Sequence, residues 1–379
     1  MGFRRLAIFV AAAACQLVHA VAVKRSVTCP TGQTTANEAC CVLFPVVDLI
    51  QSELFDNGEC GEEAHSALRL SFHDAIGFSK NGGLGGGADG SIIAFNSTET
   101  QYAANDGIDD VVARQFPVFL KSGLSPGDFL HLAAVLGVGN CPGSPVLPFS
   151  FGRPPPLAPA PDGTVPLPTD SVTDILARMA DAGFSTPETI WLLASHSVAA
   201  ADKIDPTIPR TPFDSTPGTF DTQFYLEVLL KGSLFPGNGS QSGEVLSPLA
   251  GEMRLQSDFA FSQGLILCHA LLVLVNNAHV TDSRTACFWQ EAINDQPFIQ
   301  GKFQAAFTKL QLLGQTNLTD CSDVIPAPQD FTSDIRFPAS FDQNDVQVAC
   351  TTSAFPSLAT VSGPAPTIPP VYVFSTEIV

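Results

Sequence analysis

The chain has 379 residues, ten cysteines and a formal charge of −19 at neutral pH. That length allows one large domain or two, and such acidity argues against nucleic acid as a partner while suiting a soluble extracellular enzyme. One compositional bias has chemical meaning: 28 Phe stand against 3 Tyr, 2 Trp and 3 Met, so rings fill the core without many easily oxidised side chains.

In chain order, Arg4 and Arg5 precede an apolar run over 6–15, small residues follow at Ala20 and Ala22, and Lys24-Arg25 offers a dibasic cleavage site. Residues 1–25 are therefore expected to be a secretory signal peptide plus a short pro-segment, which implies a secreted, extracellular product. The apolar run is too short to span a bilayer. Removing the cations Arg4, Arg5, Lys24 and Arg25 takes the charge to −23. Apolar spacing of helical period predicts helices over 41–54, 62–76, 109–122, 126–136, 172–182, 187–200, 220–230, 286–294 and 298–313. Pro126 and Pro187 mark good helix starts. Few strand-like runs compete. Pro/Gly-rich connections fill 142–168, and a Pro-rich tail over 356–379 is expected to be extended. The expected fold is mostly α, with a catalytic domain over 26–355.

Cys15 lies in the signal and Cys268 in an odd apolar segment, leaving Cys29, Cys40, Cys41, Cys60, Cys141, Cys287, Cys321 and Cys350. An even set in a secreted chain implies a disulfide framework. Eight cysteines allow about a hundred pairings, so spacing alone cannot choose one. Adjacent Cys40-Cys41 lacks the spacing of a zinc site. Asn96, Asn238 and Asn317 open glycosylation motifs.

Two histidines carry the chemistry. Arg69 and His73 stand four apart and share one helical face. That face pairs a proton acceptor with a fixed cation that stabilises developing negative charge. Peroxide cleavage needs such a pair: the base moves a proton from one oxygen to the other, and the cation favours charge separation. His196 follows Trp191-Leu192-Leu193-Ala194-Ser195, the apolar approach expected of a buried helix bearing an axial iron ligand.

With these motifs the chain resembles the secreted fungal class II haem peroxidases, the lignin, manganese and versatile peroxidases, from about Cys29 to Thr352. The resemblance implies the plant/fungal peroxidase fold, with haem b between two halves and two Ca2+ ions. It makes Arg69 and His73 the peroxide-cleaving pair, Asn105 the amide that orients His73, and Phe72 and Phe213 rings against the haem. His196 becomes the iron ligand and Asp258 the carboxylate bonded to it. A carboxylate accepting the second ring N–H makes that imidazole a stronger donor. The family pattern also implies the pairs Cys29–Cys41, Cys40–Cys350, Cys60–Cys141 and Cys287–Cys321.

Each histidine is followed by hard oxygen donors that suit calcium. Asp74, Gly87, Asp89 and Ser91 form one set; Ser197, Asp214, Thr216, Thr219 and Asp221 form the other, and both match the family's calcium sites. Glu62, Ser66, Arg69 and His73 lie on one helical stripe. In the family's Mn2+ site two glutamates occupy the first two positions and an aspartate follows the second histidine. Here Glu62 and Asp202 are present but Ser66 replaces a carboxylate, so Mn2+ binding is expected to be weak. Trp191 matches the surface tryptophan through which lignin and versatile peroxidases oxidise bulky aromatics. The combination resembles a lignin-peroxidase-like or atypical versatile peroxidase.

Between Asp258 and Cys287 the chain carries about 18 residues more than the resemblance implies, at about 261–278. The excess is the size of a small retained intron. It is too short to anchor a membrane, and if translated it would expose apolar surface beside the second histidine. The leading expectation is a monomeric extracellular peroxidase that uses hydrogen peroxide to oxidise lignin-related aromatics and phenols, with no nucleic acid or membrane partner. The alternatives are a low-potential phenol peroxidase and a haem-less, secreted calcium-binding protein inactivated by the insertion.

Overall fold

The computed structural model describes residues 26–263, 284–331, 334–347, 350 and 352–372. Residues 1–25, expected to be a signal and pro-segment, most of the 261–278 segment and the last seven residues of the tail lie outside that range. The fold is helical, as expected. Helices Phe44–Glu53, Glu62–Ala75, Ile108–Ser122 and Pro126–Asn140 form the half that carries His73, and Val172–Ala182, Thr186–Leu192, Gln256–Ser262, Ala286–Glu291 and Gln296–Gln311 form the other. Strands are two-residue pairs that pin loops.

Local chemistry sets most helix starts. Ser125 and Ser171 accept from the backbone N–H groups of Asp128 and Asp174, and Asp295 from that of Phe298, each satisfying a donor that the first turn leaves unpaired. Ser185 and Glu188 form a reciprocal capping box. The Pro126–Asn140 helix is buried along almost its whole length and packs against Glu62–Ala75, so the His73 helix is held by its core-facing side.

Several sequence expectations need correction. The stretch read as one helix over 187–200 is α-helical only through Leu192; residues Leu193–Val198, with His196, form a 3-10 turn. This frees the chain to enter the strand Ala200–Ala201, which pairs with Thr211–Pro212. The helix expected over 220–230 shrinks to Gln223–Glu227, because Asp221 bonds the backbone N–H of Gln223 and holds the preceding loop open. The Gln256–Ser262 helix has no counterpart among the predicted elements; its apolar spacing runs into the atypical segment, which hides the period.

Two disulfides agree with expectation, Cys29–Cys41 and Cys60–Cys141. The other two are exchanged: the bonds are Cys40–Cys321 and Cys287–Cys350, not Cys40–Cys350 and Cys287–Cys321. Asp323 explains the first, since its carboxylate receives Thr35 Oγ1 at 2.9 Å and Ala36 N at 2.6 Å and seats the N-terminal turn beside Cys321. Gln290 explains the second. Its amide donates to the carbonyls of Ser353 and Ala354 and brings the helix that carries Cys287 against Cys350.

The described part of the tail is extended but docked. Ala359–Thr360 pairs in parallel with Arg336–Phe337, Ile368 N donates to Ala250 O at 2.7 Å and Val371 N to Arg210 O at 2.9 Å.

Candidate active site

His73 lies in the last turn of its helix with Phe72 edge-on beside it, ring centroids 6.1 Å apart. Asn105 Oδ1 is 2.7 Å from His73 Nδ1, and Asn105 Nδ2 donates to the Glu99 carbonyl at 2.8 Å. Burial, and then the Arg69 charge, push the His73 pKa down to about 3, so the ring is neutral at physiological pH. Arg69 Nη2 donates to the Asp106 carbonyl at 3.0 Å. A narrow cleft bounded by His73, Asn105, Tyr102, Ala160, Pro161 and Thr164 reaches the imidazole. Glu99 is a residue that the sequence did not single out. Its carboxylate accepts from Ala160 N at 3.0 Å, so it fixes the cleft wall while its carbonyl fixes Asn105.

Three contacts converge on His196. The Ala200–Ala201 and Thr211–Pro212 pairing brings Phe213 back against the ring, at 5.1 Å between centroids, and Phe224 lies edge-on at 5.5 Å. Asp258 Oδ2 is 2.9 Å from His196 Nδ1. Asp258 is held there by the strand Arg254–Leu255, which pairs with Glu244–Val245, and by the buried Arg254 guanidinium, which donates to the carbonyls of Val228, Leu230 and Leu246. His196 Nε2 makes no hydrogen bond among the described residues, and its side chain stays 24% exposed beside a carboxylate that is 1% exposed. A free, accessible Nε2 backed by a carboxylate on Nδ1 fits an axial iron ligand. His73 likewise keeps Nε2 free, so the residues fit haem.

The two oxygen-donor loops also fit cations. Asp74 is fully buried; it accepts from Gly90 N at 2.9 Å and lies 3.2 Å from His131 Nε2. Its pKa is raised to about 7 by burial, and that of Asp89 to about 7 by burial and by Asp74. Ser91 Oγ is buried between the Asp89 and Glu99 carboxylates, in reach of both but without well-formed hydrogen-bond geometry to either. Gly90 has φ +79°, and a Cβ there would lie 2.2 Å from Gly127 N, so only glycine closes this loop. In the second loop, burial and then Asp221 push the Asp214 carboxyl well above its ordinary range, and burial lifts Asp221 to about 7. Asp214 Oδ2 and Thr216 Oγ1 are buried without partners. Ser197 is buried, its hydroxyl donating to Ala194 O at 2.8 Å; Thr219 N donates to Thr216 O at 2.9 Å. Buried, mutually repelling carboxylates beside orphaned hydroxyl and carboxylate oxygens are the donor chemistry of a Ca2+ site.

Glu62 and Asp202 come close enough to repel. Burial first, then Asp202, raises the Glu62 pKa to about 7. Ser66 Oγ donates to Glu62 Oε1 at 3.3 Å, while Glu62 Oε2 is buried without a partner. Asp202 Oδ1 accepts from Arg210 N at 3.0 Å. Trp191 reaches the surface between Phe288 and Phe298, whose rings meet it edge-on at 6.3 and 5.8 Å, with Lys302 Nζ 4.7 Å above its own ring. Helical spacing placed Lys302 on a helix but carried no sign of which element it would cover. Among the described residues no helix is long and apolar enough to cross a membrane.

Comparison with known proteins agrees with this geometry. Residues 46–295 match the peroxidase family and residues 298–372 the fungal peroxidase extension region. The chain is 51% identical to the versatile peroxidase VPS1 of Pleurotus eryngii, covering 98% of this chain and 99% of that protein. It is 50% identical to manganese peroxidase 3 of Phlebia radiata over 92% of this chain and 94% of that protein. Ligninase H2 of Phanerodontia chrysosporium is 48% identical over 91% and 90% respectively. The chain belongs to the peroxidase family and carries the fungal extension; it is a hydrogen-peroxide-dependent oxidoreductase.

Proposed function

We propose that the chain is an extracellular, monomeric haem peroxidase that oxidises lignin-related aromatics and phenols. His196, through Nε2, with Phe72 and Phe213 would hold haem b, whose iron would supply the two-electron chemistry with peroxide and the one-electron chemistry with donors. The protein does the rest. His73, neutral and presenting Nε2, accepts a proton from one peroxide oxygen and delivers it to the other. Arg69 stabilises the negative charge that develops on the departing oxygen. Asp258 draws on the His196 N–H and enriches the ring in electron density. Two Ca2+ ions, one held by Asp74, Gly87, Asp89 and Ser91 and the other by Ser197, Asp214, Thr216, Thr219 and Asp221, brace the segments that carry the two histidines.

The observation that carries this reading is the matched pair of imidazoles, each with Nδ1 engaged and Nε2 free. Electrons enter at two places in this reading: small phenols near the cleft at His73, and bulky aromatics at Trp191. The juxtaposition of Glu62 and Asp202 favours a third, weak entry for Mn2+, limited by Ser66. The purified protein is expected to show a haem Soret band that changes on adding one equivalent of peroxide. A colourless protein that binds calcium alone would overturn the proposal.

A further inference from the structure

One cation lies over Trp191 in a chain whose overall charge is −19. Lys302 lies 4.7 Å over the Trp191 ring and 5.2 Å over Phe298, a cation–π geometry, and forms no ion pair among the described residues. Its neighbour one heptad on, Lys309, is neutralised by both Glu188 oxygens at 3.0 Å. Asp295 caps the same helix by accepting the Phe298 N–H and forms no ion pair with Lys302 among the described residues. Trp191, Phe288, Phe298 and Lys302 are all half-buried, so together they make an aromatic floor with one uncommitted ammonium.

We propose that this floor is a docking site for anionic aromatic donors, chiefly aromatic carboxylates, with Lys302 as the residue that selects their charge. The proposal rests on the reading of Trp191 as an electron entry point. Most of the surface of a chain with a net charge of −19 repels such molecules. At Trp191 the flexible lysine can meet the carboxylate while its stem and the three rings receive the apolar ring of the donor. The same cation bears on the redox step. Reducing one hydrogen peroxide to two waters consumes two protons and two electrons, one from each of two donors. When the Trp191 indole gives up an electron it becomes positive beside an ammonium, which opposes that loss. A carboxylate on Lys302 offsets the repulsion, and the donor it belongs to then refills the indole and leaves as a radical. Docking and electron entry thus favour the same anion.

Two donors with the same dimethoxyphenyl ring test this: 3-(3,4-dimethoxyphenyl)propanoate and the corresponding propanol, whose chain insulates the ring from the charge. At about pH 6, above the carboxylate range, the wild-type holoenzyme should bind and turn over the propanoate better than the propanol. Lys302→Gln should weaken propanoate binding to the resting enzyme, read by saturation-transfer NMR, by roughly two- to five-fold, the range of one exposed charge contact. The same factor should appear in KM. Lys302→Arg should keep the preference. About 0.5 M salt, where screening acts within a few ångström, should erase it. Equal effects of Lys302→Gln on both donors, or none on either, would overturn the proposal. If Trp191→Ser leaves bulky donors oxidised, the electron-entry reading fails instead, and the NMR binding comparison still decides whether Lys302 selects anions.

Discussion

Asn105 faces His73 with its oxygen: Nδ2 is committed to the Glu99 carbonyl at 2.8 Å, which leaves Oδ1, 2.7 Å from the ring, to accept from His73 Nδ1. The imidazole proton is therefore fixed on Nδ1 and the lone pair on Nε2. His73→Ala should keep haem but slow peroxide cleavage by about two to four orders of magnitude, measured by stopped-flow at the Soret band. Asn105→Val, which frees the tautomer, should cost less than His73→Ala and more than nothing. A near-normal rate in His73→Ala would remove the assignment.

The pKa of His73, near 3, sets a pH profile. The base stays neutral from neutral pH down to about 3, so peroxide cleavage should be flat across that range and fall below it. For stability the sign is that of a depressed group: the unfolded ring takes a proton near 6.5 and the folded ring does not, so its contribution is present above 6.5 and lost as pH falls toward 3. Rate and melting temperature should therefore part company between pH 6.5 and 3.

His196→Ala should abolish stable haem retention through gel filtration. Asp258→Asn should retain haem but weaken the donation that the carboxylate on Nδ1 provides, so the iron reduction potential should rise. Spectroelectrochemistry checks this, and an unchanged potential would show that the 2.9 Å contact does not tune the metal.

Calcium removal should loosen both histidine segments, lowering the melting temperature and adding a sixth ligand to the iron. The stripped protein should be least stable at high pH. Asp74, Asp89 and Asp221 have pKa values raised to about 7, so without the ion their buried carboxyls favour folding below their ordinary range and that contribution is lost as pH rises through 7. Calorimetry of chelated protein at pH 5 and pH 8 reads the difference; identical curves with and without chelator would show the loops to be structural only.

Substrate choice separates two surfaces. Trp191→Ser should eliminate oxidation of bulky non-phenolic aromatics while small phenols remain substrates. Ser66→Glu adds a carboxylate one turn from Glu62 and should raise Mn2+ turnover, which Glu62→Ala should abolish. Mn2+ affinity should climb between about pH 5 and 7 as Glu62, lifted to about 7, gives up its proton. Strong Mn2+ oxidation that ignores Glu62→Ala would break this reading.

The residues that carry reaction chemistry were legible because each sits in a short motif whose spacing is itself geometry: Arg69 and His73 share a face by being four apart. The helical class followed from apolar period. What the sequence could not show was decided by contacts between distant segments. The Asp323 bonds to Thr35 and Ala36 choose the partner of Cys40, and Gln290 chooses that of Cys287; neither signal is local. Lys302 was invisible for the same reason, since only the packing of Gln296–Gln311 on Thr186–Leu192 sets it over Trp191. The 3-10 turn at His196 was missed because apolar spacing does not distinguish a tight turn from the end of a helix.

Three of the four disulfides overlap along the chain like roof tiles: Cys29–Cys41 spans the first stretch, Cys40–Cys321 the long middle and Cys287–Cys350 the end, with Cys60–Cys141 nested inside the middle one. Every peptide bond between Cys29 and Cys350 lies inside at least one of these closed rings. A single backbone cut anywhere in that range, by a protease at a surface loop for instance, therefore leaves one covalent molecule rather than two fragments. On a denaturing gel such nicked protein would run as one band until thiol is added, and the two segments that carry His73 and His196 would stay tethered through the damage.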